Sequence, residues 1–211
     1  LEALRARLTA LAGDTPPRRS AQRFRMHVDR AFVIDGLGLV VTGSVISGAI
    51  AAGGEVQLLP SGRRSRVRSL RANNGEAVRA TAGQRCALAL HGLARGDVVR
   101  GDIVTDGDAA PRSRHLDVVL EPLLGAGRAL TRRGQVSVHL GTAQLTARCT
   151  PLSRDGRLYA RLSFPQEVSA WHGDRLLVRD PGSLRLVGAG SVVDPIPPER
   201  GAARPQRLAA L

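Results

Sequence analysis

Val28-Asp29-Arg30-Ala31-Phe32-Val33-Ile34-Asp35-Gly36-Leu37-Gly38-Leu39-Val40-Val41-Thr42-Gly43-Ser44-Val45-Ile46-Ser47-Gly48 decides the fold. Residues 28–34 are apolar and partly alternating, which predicts a strand. Gly36 and Gly38 tolerate positive φ and suit a tight reversal. Residues 39–46 form a second, β-branched run, so the stretch predicts a β-hairpin, with Thr42-Gly43-Ser44 interrupting its return strand. The glycine pair is not a dinucleotide fingerprint: the third glycine of G-x-G-x-x-G falls on Val41, and no helical pattern follows.

Outward from the hairpin, short apolar runs alternate with turn signals. Phe24, Met26 and Val28 alternate, and Pro60-Ser61-Gly62 and Asn73-Asn74-Gly75 mark turns. Residues 86–90 are an apolar run, and Val98, Val99, Ile103 and Val104 close the unit. Residues 106–114, rich in Gly, Asp, Pro and Arg, read as a boundary. A second unit repeats the cadence: 116–120, 136–140 paired with 145–149, 157–164, 176–178 and 184–193. Strands this short and this frequent predict closed barrels, which leave no exposed edge. Ahead of them, leucines at 1, 4, 8 and 11 mark one face of a helix stopped near Gly13, with Pro16-Pro17 excluding continuation. Residues 207–211 read as the opening of a helix. The expected class is all-β, two consecutive barrels with a short N-terminal helix. The domains are 1–20 helix and linker, 21–107 and 112–196 the barrels, and 197–211 a further linker.

The 211 residues carry a formal charge of +13, and arginine supplies every one of the 31 basic side chains. The absence of lysine reads as coding bias, but that bias does not create an excess over 18 acids. The excess favours a polyanionic partner; a generally solvated basic surface is the other reading. Aromatic residues are only 2%, too few for base-stacking platforms, so backbone contacts to a folded nucleic acid fit better. No apolar run reaches the length of a membrane span, so no membrane partner is expected. Cys86 and Cys149 lie in apolar runs and read as reduced, buried thiols, in keeping with a cytoplasmic setting. No Cys/His cluster has zinc spacing, and nothing brings Ser, His and Asp together as a triad, so neither metal nor catalytic residues are assigned. His27 and His139 read as satisfied structural residues of alternating strands.

Asp29-Arg30-Ala31-Phe32 followed by Gly36-Leu37-Gly38-Leu39-Val40-Val41-Thr42-Gly43-Ser44 resembles the second domain of translational GTPases of the elongation factor Tu class. Within that class the resemblance is greatest to selenocysteine-specific elongation factors. Ala82-Gly83-Gln84-Arg85 and Arg100-Gly101-Asp102 agree in order. So do Val138-His139-Leu140-Gly141-Thr142-Ala143, Gly173-Asp174-Arg175 and Gly188-Ala189-Gly190. The resemblance spans roughly residues 21–196. It implies two barrels of the translational GTPase type, the first holding the aminoacyl end of selenocysteinyl-tRNA and the second touching the tRNA. Its other implied partners are the ribosome and, through C-terminal winged helices, a messenger-RNA hairpin.

Carried over by motif, the resemblance implies a selenocysteine site of Asp29, Arg30 and Arg85. On residue type alone the set also reads as a surface ion pair. Arg63, Arg64, Arg66, Arg68 and Arg71 read either as contacts to tRNA phosphates or as a solvated strand face. The resemblance also implies GTP and magnesium in a GTPase domain before residue 1. A phosphate-binding loop needs G-x-x-x-x-G-K-[ST], and the chain has no lysine, so no cofactor and no enzymatic activity are expected of these residues. Two other assignments stay open: the barrels of another tRNA-carrying GTPase, or those of the GTPase subunit of a sulfate adenylyltransferase.

Overall fold

A computed structural model of the chain describes residues 1–14, 22–107, 111–123, 130, 133–154 and 156–199. The helix expected from Arg207 and most of the two linkers lie outside these residues. Helix α1 (Glu2–Asp14) comes first. The first group of strands is β1 (Arg25–Ile34), β2 (Gly38–Ser47), β3 (Ala49–Ala51), β4 (Glu55–Leu59), β5 (Arg64–Ala72), β6 (Gly75–Ala77), β7 (Arg79–Thr81), β8 (Arg85–Leu90) and β9 (Ile103–Thr105). The second is β10 (Ser113–Pro122), β11 (Gly134–Leu140), β12 (Ala143–Arg154), β13 (Arg157–Val168), β14 (Arg175–Arg179) and β15 (Leu186–Asp194).

Each group closes into a six-stranded antiparallel barrel. The first runs β4-β9-β1-β2-β8-β5 and shuts through the β4–β5 pairing, and the second runs β10-β13-β12-β11-β14-β15. Closure follows from the alternation in the sequence: one face of every strand fills a barrel interior. Phe24, Met26, Val28, Leu39, Val41 and Leu88 build the first core, and Leu116, Val118, Leu162, Phe164 and Leu176 the second. Cys86 and Cys149 are buried one in each core and unpaired. Burial pushes their thiols up to about 12 and about 11.

Helix α1 ends at Asp14, one residue past the expected stop at Gly13. One local expectation is corrected. Thr42-Gly43-Ser44 does not interrupt the return strand, since β2 is continuous from Gly38 to Ser47. Glycine is needed at 43 for another reason: a Cβ there would fall 2.0 Å from the His27 carbonyl oxygen on β1. None of the α1 residues is buried, and Leu4, Leu8 and Leu11 are exposed.

The barrels meet along a polar seam. Arg25 pairs with Asp174 through two contacts of 2.8 Å, and its guanidinium lies 4.5 Å from the Trp171 ring centroid. His27 is buried at this seam, against Gly141. Both histidine readings need correction, because His27 Nδ1 and His139 Nε2 are buried with no hydrogen-bond partner among the described residues. Burial first, and then the Arg25 charge, lower the His27 pKa below its ordinary 6.5, with Asp174 opposing. Folded His27 therefore takes up a proton less readily than His27 in the unfolded chain, which is protonated first as pH falls. Stability should be flat above the unfolded value of about 6.5 and decline below it. The thermal midpoint is expected to be lower at pH 5.5 than at 7.5, with the difference reduced in His27→Gln. An unreduced difference in that variant would assign the effect to another group.

Candidate functional site

The site is built by a fault in the β1–β2 ladder. Val28 faces Gly43 and Arg30 faces Thr42, so Asp29 is the extra residue of a β-bulge. Val28 is fully buried and Ala31 packs on the same core. Strict alternation would send Arg30 inward. The bulge instead leaves Asp29 and Arg30 both on the outer surface. The β5–β8 ladder shifts in the same way between Val67 and Ser69, leaving Arg68 and Ser69 outside between buried Val67 and Leu70.

Arg85 opens β8 and faces Ser44 on β2, with Cys86 and Leu88 turned into the core. Its guanidinium forks onto the Asp29 carboxylate: Nη1 pairs with Oδ2, and Nη2 donates to Oδ1 at 3.1 Å. Thr42 donates its hydroxyl to the same Oδ1 at 2.6 Å, and Arg85 Nη2 also lies 3.4 Å from Thr42 Oγ1. The hydrogen bonds from Arg85, with a smaller contribution from Thr42, hold the Asp29 carboxyl below the usual carboxylate range. Asp29 in turn raises the Arg85 pKa, so the guanidinium stays charged. Arg30 is exposed beside this pair, and its side chain makes no ion pair or hydrogen bond among the described residues.

Beside the pair lies a groove of about 470 Å³, lined by Phe32, Val40, Thr42, Arg71, Arg85 and Ala87 among others. Its lining is mostly apolar and includes Arg71 and Arg85. The sequence brought Asp29, Arg30 and Arg85 to notice but missed Thr42. The available cue was parity: Thr42 shares the outer face of β2 with Val40 and Ser44, opposite Leu39, Val41 and Val45.

The arginine run is less uniform than its sequence. Arg63, Arg64, Arg66, Arg68 and Arg71 are all exposed. Arg63 pairs with Asp97 at 2.8 Å and Arg66 with Glu55 at 3.3 Å. Arg68 donates to the Leu37 carbonyl at 3.4 Å, and Arg71 to that of Asn74 at 3.2 Å. Arg71 reaches the groove that Arg85 lines; Arg64 and Arg66 line a separate depression with Glu55 and Gln57.

Residues 38–105 match the family model for elongation factor Tu domain 2. Residues 118–199 match that for the selenocysteine-specific elongation factor, beta-barrel domain. Both barrels thus match parts of selenocysteine-specific elongation factors. The factor of that name from Desulfomicrobium baculatum is 33% identical over 93% of this chain and 32% of its own length. The one from Escherichia coli is 34% identical over 99% of this chain and 33% of its own. A crystal structure of a bacterial selenocysteine-specific elongation factor superposes with a TM-score of 0.79 at 26% identity, covering 90% of this chain and 31% of that one. The chain thus spans about a third of the length of the family members it matches. Arg85 falls within the matched elongation factor Tu segment, and Asp29 and Arg30 precede it. No described helix is long and apolar enough to cross a membrane.

Proposed function

We propose that in a selenocysteine-specific elongation factor these two barrels hold selenocysteinyl-tRNA for delivery to the ribosome in the cytoplasm. Residues 21–107 would take the aminoacyl end and residues 112–196 the tRNA body. The observation that carries the reading is the Asp29–Arg85 fork on the outer face, with Arg30 beside it and a mostly apolar groove adjoining. A selenol is more acidic than a thiol and is largely an anion at neutral pH, whereas a serine hydroxyl is neutral. Two guanidinium groups that stay protonated favour the anion. Asp29 aligns Arg85 and limits its repulsion of Arg30. The barrels make and break no bond in this reading.

GTP and magnesium would be held by a GTPase domain of the factor, and a messenger-RNA hairpin by its C-terminal region. The residues present do not fit a guanine nucleotide, because no lysine is available to complete a phosphate-binding loop. Arg63, Arg64, Arg66 and Arg68 would face tRNA phosphates, with Arg71 nearer the aminoacyl groove.

The test is equilibrium binding of this chain to one tRNA carrying selenocysteine, serine or nothing, at two salt concentrations. The selenocysteinyl form should bind tightest. All three should weaken with salt, with a log–log slope of roughly −0.9 per phosphate contacted in duplex. Arg68→Ala should weaken the two charged forms equally, since phosphates do not report the amino acid. Equal affinity for all three forms would sink the reading, and affinity flat in salt would remove the phosphate contacts from it.

A further inference from the structure

Three segments meet at the seam directly behind Asp29. Val28 donates its N–H to the Asp102 carbonyl at 2.9 Å. Its own carbonyl accepts from the Gly101 N–H at 3.0 Å and from Thr142 Oγ1 at 2.6 Å. Thr142 belongs to the second barrel, in the tight turn between β11 and β12, and its carbonyl accepts from Arg100 Nε at 3.3 Å. Two glycines permit this approach. A Cβ on Gly141 would fall 2.0 Å from His27 Nδ1, and one on Gly101 would fall 2.9 Å from the Ala143 Cβ.

We infer that the β11–β12 turn is a positioning element for the aminoacyl site, with Thr142 fixing, through the Val28 carbonyl, the bulge that aims Asp29 at Arg85. A bulge residue has no cross-strand partner to set its direction. Its orientation therefore depends on how the adjoining peptide planes are held. The Val28 carbonyl and the Asp29 nitrogen share one planar peptide unit, so gripping the carbonyl restricts the rotation that points the Asp29 side chain. The grip comes from the other barrel. Asp29 itself lines the inter-barrel cleft together with Thr142, Gly141 and Asp174, while its carboxylate reaches across to Arg85. A shift of the second barrel would thus be felt at the first barrel's carboxylate within one peptide unit. Thr142 is a positioning residue and touches no part of the aminoacyl group.

The inference rests on reading Asp29 and Arg85 as the aminoacyl site. Its test uses this chain with Thr142→Val, which removes the hydroxyl and keeps the shape, and Thr142→Ser, which keeps the hydroxyl. The Val28 carbonyl retains its Gly101 donor in both, so the fold should survive. Thr142→Val should lower the preference for selenocysteinyl- over seryl-tRNA by about threefold to tenfold, the range of one lost hydrogen bond, with seryl-tRNA affinity unchanged. The Asp29 carboxyl, followed by carbon NMR without any tRNA, should titrate at higher pH in Thr142→Val as the Arg85 fork loosens. Thr142→Ser should behave as the parent in both. Parental values in Thr142→Val, or a Thr142→Ser indistinguishable from Thr142→Val, would overturn the inference. A moved titration combined with an Arg85→Ala chain that keeps its selenocysteine preference would leave the positioning role standing and remove the aminoacyl reading.

Discussion

Arg85→Ala is expected to weaken selenocysteinyl-tRNA binding by roughly tenfold to a hundred and fiftyfold, while seryl-tRNA changes by no more than about twofold. The range is that of one charge-assisted hydrogen bond lost. The geometry makes this residue more costly to remove than Arg30. Arg85 neutralises Asp29 through a fork, so its loss leaves an unpaired carboxylate beside the incoming selenolate. Arg30 has no such partner among the described residues, and Arg30→Ala should lose less. The same logic predicts non-additivity: Asp29→Asn alone should reduce discrimination by freeing Arg85 from alignment. Added to Arg85→Ala, it should recover part of the loss by removing the repelling charge. Affinities measured by competition on one tRNA body decide the matter. A uniform fall for both charged forms would make Arg85 a backbone contact.

The fold was legible because its determinants are local. Alternation, Gly36 and Gly38 at positive φ, and the Gly141 turn each act over a few residues, and each strand they predicted exists. Asp29, Arg30 and Arg85 were legible only through motif resemblance; residue type alone left them as an ordinary ion pair. What stayed hidden is set by register. The bulge at Asp29 reverses the expected side of Arg30, and nothing in the order Val28-Asp29-Arg30 announces a skipped partner. Thr42 looked like any β-branched strand residue until its cross-strand neighbours were known. The seam depends on contacts between residues as distant in sequence as Arg25 and Asp174, or Val28 and Thr142. Such pairs carry no periodic signal. The two histidines failed for a similar reason: a strand pattern says that a side chain is buried, not what its ring nitrogens meet.

The largest expected effect on stability lies in the second barrel, at a buried ion pair. Asp117 on β10 faces Arg161 on β13 in register, and the two side chains fork together, Nε to Oδ1 at 2.8 Å and Nη2 to Oδ2 at 3.0 Å. Asp117 is 0% exposed and Arg161 5%. They lie outside the barrel core, under the segment that follows β15: Arg161 Nη1 donates to the Pro198 carbonyl at 2.6 Å and reaches that of Glu199 at 3.4 Å. The pair therefore also fixes the path by which the chain leaves the barrel. Asp117→Asn keeps the shape and removes the counter-charge, leaving a buried guanidinium uncompensated, which should cost about 3–5 kcal/mol. Replacing both residues by apolar side chains of similar volume should cost less than the single change, because no charge is then stranded. The exposed Glu55–Arg66 pair is the control, and Glu55→Ala should behave as an ordinary surface substitution. Urea unfolding followed by Trp171, the single tryptophan and a residue of the second barrel's seam, reports on this barrel. A midpoint for Asp117→Asn no lower than that for Glu55→Ala would mean that the pair is hydrated in solution and that the segment after β15 does not seal it.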